Sequence, residues 1–322
     1  MSPQIPPAAG HRPTSRRTAL ALGAGTALTA ALGAAAPARA SAPAPAPAGE
    51  QAARLRDAAA ALREVERLRG VRLGVFARDT RTGRTVVHRA DERFAMCSVF
   101  KTLAAAAVLR DLDHDGSYLA RRVHYSREFT EASGGAPVTG KPENLAHGMT
   151  VAQLCAAAVG VSDNAAGNLL LRALGGPAAV TRFARSVGDA RTRLDRWEPD
   201  LNTAEPWRVT DTTSPRAIGT TYGRLVLGSV LAPADRRLLT GWLTANTTDG
   251  ERFGKGLPAD WVRADKTGTG TGYGAANDVG VVQPPGGAPI VLSVLSARPG
   301  RDAPMDEPAI ARAAAVVAAA LT

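Results

Sequence analysis

From Val71 to Arg110 the chain reads VRLGVFARDTRTGRTVVHRADERFAMCSVFKTLAAAAVLR, and the spacing of its apolar residues changes once along the way. VRLGVFARD and RTVVHRA alternate around TRTG, which predicts two strands of a hairpin. From Phe94 onward the spacing becomes helical, and a run of alanines, strong helix formers, follows. Ser98 and Lys101 stand inside this apolar stretch three positions apart, which puts a hydroxyl and an ammonium on one helix face. A lysine is seldom left among buried apolar groups without a partner.

Outward from this segment the order of elements is simple. EQAARLRDAAAALREVERLRG (residues 50–70) predicts a helix ending at a glycine. Helical spacing continues over 99–112, 151–158, 165–173, 178–187, 220–231 and 235–244. Strand character returns in WVRADKTG, DVGVVQPP and PIVLSVLSA, and an alanine-rich helix begins near Met305. Strands at both ends and helices between predict an α+β fold: one antiparallel five-stranded sheet flanked by helices, beside an all-helical part. The expected division is 50–93 with 243–322 for the sheet and 94–242 for the helices. A site would lie in the crevice between them.

The first 40 residues stand outside this reading. A basic start, an apolar middle and the small-residue end Ala38-Arg39-Ala40 predict an export signal cut before Ser41. Arg16 and Arg17 before the apolar run resemble the twin-arginine type. SAPAPAPAG (residues 41–49) reads as a Pro/Ala linker. The chain has 322 residues and a formal charge of +10; without the four arginines of residues 1–40, about +6 remains, spread with no long basic block. No basic patch is flanked by aromatics, so nucleic acid is not an expected partner. The five histidines show no paired metal spacing and no CxxC occurs, which speaks against zinc. DLDHDG (111–116) lacks a calcium loop's regular ligands and reads as a polar helix end. No metal, cofactor or stable membrane anchor is expected, and a monomer is.

Four short groups could carry chemistry. Ser98 with Lys101 could be a nucleophile and its base, although an S-x-x-K arises about once by chance in such a chain. Ser162-Asp163-Asn164 follows an apolar helix, where such residues most often cap or turn. Lys266-Thr267-Gly268 precedes a glycine-rich turn. Glu198 lies in RWEPDLN, which opens a polar loop running to Asp211, and long irregular loops inside compact domains are often functional.

Together, in this order, SxxK, SDN, a loop glutamate and KTG form a known set. The chain resembles a class A serine β-lactamase of actinobacterial type from about Leu55 to the C-terminus. RFAMCSVFK, MTVAQLC…SDNAAGNLLL, RWEPDLN, DTTSP, ADKTGTG and NDVGVV all match at the family's separations. The resemblance implies that Ser98 attacks the lactam carbonyl of penicillins and cephalosporins, with Lys101 beside it. Ser162 relays a proton to the leaving nitrogen, Lys266 keeps the field positive, and Asn164 binds the side-chain amide. The backbone of Ser98 and Thr269 forms the oxyanion hole, while Glu198 and Asn202 hold the hydrolytic water. Whether Lys101 or Glu198 accepts the acylation proton stays open. Arg196 and Asp211 match an ion pair that staples the loop ends, residues 196–211.

Departures from the family bear on specificity. Ala275 and Ala276 stand where many relatives place a carboxylate-binding arginine, and the resemblance assigns that role to Arg252, with Thr267, Gly268 and Thr269. Trp207-Arg208-Val209-Thr210 replaces a family motif, so the loop should pack differently. Gly134 and Gly135 fall where relatives carry an aromatic, implying a more open rim. The family's partner positions for Cys97 and Cys155 hold other residues, which implies two free thiols. Two other readings differ at Glu198. A D-alanyl-D-alanine peptidase (penicillin-binding protein) shares the serine, SDN and KTG motifs without this carboxylate, and a non-hydrolysing β-lactam sensor benefits from keeping its acyl group.

Overall fold

A computed structural model describes residues 48–322; the expected export signal (1–40) and most of the linker lie outside them. The linker's last two residues, Ala48 and Gly49, belong to the first helix. Helix α1 (Ala48–Arg69) leads into β1 (Arg72–Asp79) and β2 (Thr85–His88), the expected hairpin. The helices that follow include α2 (Phe100–Ala107), α3 (Val151–Gly160), α4 (Asn164–Leu174), α5 (Ala178–Ser186), α6 (Pro215–Val226) and α7 (Pro233–Thr244). Strands β3 (Val262–Thr269), β4 (Ala276–Gln283) and β5 (Ile290–Ala297) and helix α8 (Glu307–Leu321) close the chain. The strands form one sheet, β2-β1-β5-β4-β3, antiparallel throughout.

Each sheet face has its own core, as period-two strands require. Leu73, Val75, Leu292 and Val294 pack outward with Leu62 of α1 and Ala314 and Val317 of α8. Phe76, Val279, Val281 and Val291 face the helices, joining Leu103 of α2 with Ile218 and Tyr222 of α6. Gly74 makes room on this inner face, since a Cβ there would come within 2.5 Å of the Phe94 ring.

Helix α2 is buried on every side, which its alanines permit by letting neighbouring helices approach closely. A 3-10 turn (Cys97–Val99) precedes it and a π turn (Val108–Leu112) follows. Replacing Leu103 by Ala in so closed a site would cost about 2–5 kcal/mol. The buried Tyr222 hydroxyl donates to Val99 O at 2.8 Å and lies 2.8 Å from the Thr102 hydroxyl. Thus α6 holds the N-terminal turn of α2 in place.

Some expected boundaries move. The helix expected at 220–231 is α6, which starts at Pro215, capped by the Ser214 hydroxyl accepting from Ala217 N. KTG lies within its strand, which runs one residue further, to Thr269. The DLDHDG segment is a helix end: Asp113 Oδ1 accepts from Tyr118 N and Leu119 N at 3.0 and 3.1 Å.

Candidate active site

The start of α2 is strained and polar amid an apolar core. Cys97 has φ +49° and Ser162 has φ +60°, conformations that side chains other than glycine seldom adopt and that cluster at functional sites. The two strained residues bring Ser98 and the SDN segment face to face. The Ser98 backbone N–H sits in the first turn, where helical donors lack an intrahelical partner.

Lys101 is the hub. Its side chain is fully buried, and Nζ lies 3.0 Å from both Ser98 Oγ and Glu198 Oε1. It also donates to Ser162 O at 2.8 Å and Asn164 Oδ1 at 2.6 Å, with the Ser162 hydroxyl at 3.4 Å. The Ser98 hydroxyl reaches Glu198 Oε1 at 3.3 Å. Burial lowers the Lys101 pKa, and the adjacent Glu198 carboxylate only partly opposes this. The amine is therefore easier to deprotonate than a surface lysine.

Glu198 is presented by the loop. Its N–H donates to Asn168 Oδ1 and its carbonyl accepts from Asn168 Nδ2, both at 3.0 Å. Asn202 Nδ2 donates to Glu198 Oε2, while Asn202 Oδ1 is buried without a protein partner. The loop ends are stapled as expected: Arg196 Nε meets Asp211 Oδ2 at 2.6 Å, and Asp211 Oδ1 accepts from Asp195 N and Arg196 N. In place of the family motif, Trp207 packs edge-on against Tyr273 with ring centres 5.8 Å apart.

Strand β3 supplies the opposite wall. Lys266 is fully buried, donates to Thr267 O at 2.8 Å, and has its pKa pushed well down by burial and then by Lys101. Arg252 is 2% exposed. Its Nη1 donates to Gly268 O and Asn277 O, Nη2 to Thr269 Oγ1 at 2.7 Å, and Nε to Glu307 at 3.0 Å. Ser98, Ser162, Asn164, Asn202, Arg252, Thr267 and Thr269 all line one crevice of about 320 Å³. The structure thus brings the expected site residues together.

Gly134 (φ +73°) lies so close to Pro199 that a Cβ would stand 2.8 Å from its ring, and Gly135 O accepts from Asn164 N at 2.8 Å. These glycines bring backbone against the loop and the SDN turn. Cys97 and Cys155 are free and buried.

Several residues support the site without joining its chemistry. Asp163, fully buried, caps α4 through Ala166 N and accepts from Val138 N and Thr139 N, so the bland capping reading of SDN holds for its middle residue. Gly167 gives passage to the Lys101 stem, whose Cε is 3.0 Å from where a Cβ would be. Asn168 clamps Glu198, and Asn277 Nδ2 ties Ala95 O and Met96 O to β4 at 3.0 Å. A signal existed for Asn168: it stands four residues after Asn164 in an apolar helix, on the same face.

A family model described as the β-lactamase enzyme family matches residues 57–321. A β-lactamase of Streptomyces lavendulae is 64% identical over 265 residues, 82% of this chain and 87% of its own. One from Kitasatospora aureofaciens is 60% identical over 96% of this chain and 98% of its own. The solved β-lactamase from Streptomyces albus G superposes with a TM-score of 0.82 at 63% identity, covering 83% of this chain and all of that one.

Proposed function

The chain belongs to the β-lactamase enzyme family, and on that premise we propose how its residues divide the work of a class A serine β-lactamase that opens the lactam amide and confers β-lactam resistance. Ser98 Oγ attacks the carbonyl carbon, and its proton passes to the Lys101–Glu198 pair, either member of which is within reach. The Ser98 and Thr269 N–H groups hold the developing oxyanion. The C–N bond then breaks, and Ser162 relays a proton to the nitrogen, its hydroxyl resupplied by Lys101 Nζ 3.4 Å away, under the positive field of Lys266. Asn164 binds the side-chain amide, while Arg252, Thr267, Gly268 and Thr269 bind the substrate carboxylate.

Deacylation separates this reading from a peptidase or a sensor. Water between Glu198 and Asn202 loses a proton to Glu198 and attacks the ester, and Ser98 Oγ departs with that proton, returned by the Lys101–Glu198 pair. Asn202 Oδ1, buried and unpartnered, is an acceptor for that water. The observation that carries the proposal is Glu198 Oε1 standing 3.3 Å from Ser98 Oγ and 3.0 Å from Lys101 Nζ. Nitrocefin in large excess tests it. Sustained turnover is expected; a burst of one equivalent followed by a stable acyl-enzyme would refute it.

No helix among the described residues is long and apolar enough to cross a membrane. We further propose that the protein is exported by the twin-arginine route and works as a monomer, with 50–93 plus 243–322 and 94–242 as its two structural parts. N-terminal sequencing of secreted protein should begin at Ser41.

A further inference from the structure

The loop before Phe253 meets β3 in three rungs. Asn246 Nδ2 donates to Asp265 Oδ2 at 3.0 Å, the Thr248 and Thr267 hydroxyls share a short hydrogen bond, and Arg252 Nη2 reaches Thr269 Oγ1. Asp265, Thr267 and Thr269 alternate along the strand and share one face. The upper two rungs line the crevice, and the lowest lies below it.

A second acid stands at the foot. Thr267 pairs with Asp278 and Asp265 with Gly280, making Asp265 and Asp278 diagonal neighbours within side-chain reach. Gly280 provides the space, because a Cβ there would be 2.5 Å from the Asp265 Cβ. Both carboxyl groups are buried, 1% and 0% exposed. Asp278 Oδ2 accepts from Phe253 N at 3.1 Å, whereas Oδ1 meets no N–H or hydroxyl donor. Two buried carboxylates placed as neighbours do not both stay ionised, and a proton kept on one lets it hydrogen-bond the other.

We propose that Asp278 Oδ1 keeps a proton and donates it to the Asp265 carboxylate, and that this bond positions Arg252 for the substrate carboxylate through the Phe253 N–H it also anchors. Asp278 is then a positioning residue that never touches substrate. Burial pushes its carboxyl well up, and the Asp265 charge acts the same way; Arg252 and the Phe253 N–H oppose. Asp265 is raised by burial, its bond from Asp278 opposing, with Asp249 raising and Asn246 and Arg263 lowering it. Lys266, itself lowered by burial, Lys101 and Arg252, is the other charge facing the pair. Ionising both acids would set two like charges between β3 and β4 and release the foot of the ladder.

The kinetic half rests on the β-lactamase reading; the spectroscopic half does not, so the two can fail separately. Infrared difference spectra of wild type and Asp278→Asn at pH 7 should show one protonated-carboxyl C=O band lost in the variant, and no lost band would overturn the proton assignment. Asp278→Ala should raise KM for benzylpenicillin roughly tenfold with kcat changed far less, and Asp278→Asn, whose amide still donates, should restore KM to within about threefold. An unchanged KM, a loss confined to kcat, or no rescue by asparagine would overturn the positioning role. If the alanine variant does not fold, Asp278→Leu, of fuller volume and without a donor, takes its place under the same criteria.

Discussion

Removing the Arg196 guanidinium should slow deacylation while largely sparing acylation. Asp211 is 1% exposed, and in Arg196→Ala it loses a 2.6 Å ionic hydrogen bond while keeping two backbone donors. Breaking a buried pair costs about 3–5 kcal/mol. Arg196 is a quarter exposed and Asp211 stays partly satisfied, so about 2 kcal/mol is the better figure here, a factor of about 30 in loop closure. Arg196 also holds Thr203 Oγ1 at 2.9 Å, one residue from Asn202, so the loss falls on the segment that presents Asn202 and Glu198. Single-turnover kinetics with benzylpenicillin should give a deacylation rate lower by about 10- to 100-fold. Acylation should change less, because Ser98 and Lys101 are anchored in α2, and Tm should fall by about 4–8 °C. A deacylation rate equal to wild type in a folded variant would refute the claim that this staple positions Glu198.

Three further outcomes are expected. Arg252→Ala should lower kcat/KM for penicillins by about 10- to 100-fold, the worth of a charge-assisted contact, and an unchanged value would remove Arg252 from the carboxylate site. The Asp278 carboxyl titrates higher folded than unfolded, so its stabilisation is full at and below about pH 4 and lost as pH rises through the folded value. Urea unfolding should therefore show the stability of wild type relative to Asp278→Asn falling from pH 4 to 9, and a flat or rising difference would contradict this. Burial pushes the Cys97 thiol up to about 12 and raises Cys155 as well. Ellman's reagent should thus find two thiols only after unfolding, and rapid reaction of the native protein would contradict that.

Much of this fold is written locally. The hairpin, the late strands and the helices announce themselves through period and punctuation, because each has one face in a core. Apolar spacing marks the start of helix α6 too late because its polar start, DTTSP, looks like loop, although Ser214 followed by proline is itself a start signal. The first layer of the site was equally legible, since Ser98, Lys101, Ser162, Asn164, Glu198, Asn202 and Lys266 fall in recognisable groups. Their supports were not. Asn168 meets Glu198 thirty residues on, and Asn277 reaches Met96 across 181 positions. No local pattern encodes such contacts. Gly134 and Gly280 show the same limit: their lack of a side chain acquires meaning only from Pro199 and Asp265 lying against them.

The account turns on Glu198 acting upon the ester formed at Ser98. Intact-protein mass spectrometry after brief exposure to benzylpenicillin tests that directly, comparing wild type with Glu198→Ala. Wild type should return to its free mass within the mixing time, and the variant should keep one penicilloyl adduct, mapped by digestion to Ser98. An adduct on another residue, or a variant that clears its adduct as fast as wild type, would contradict it.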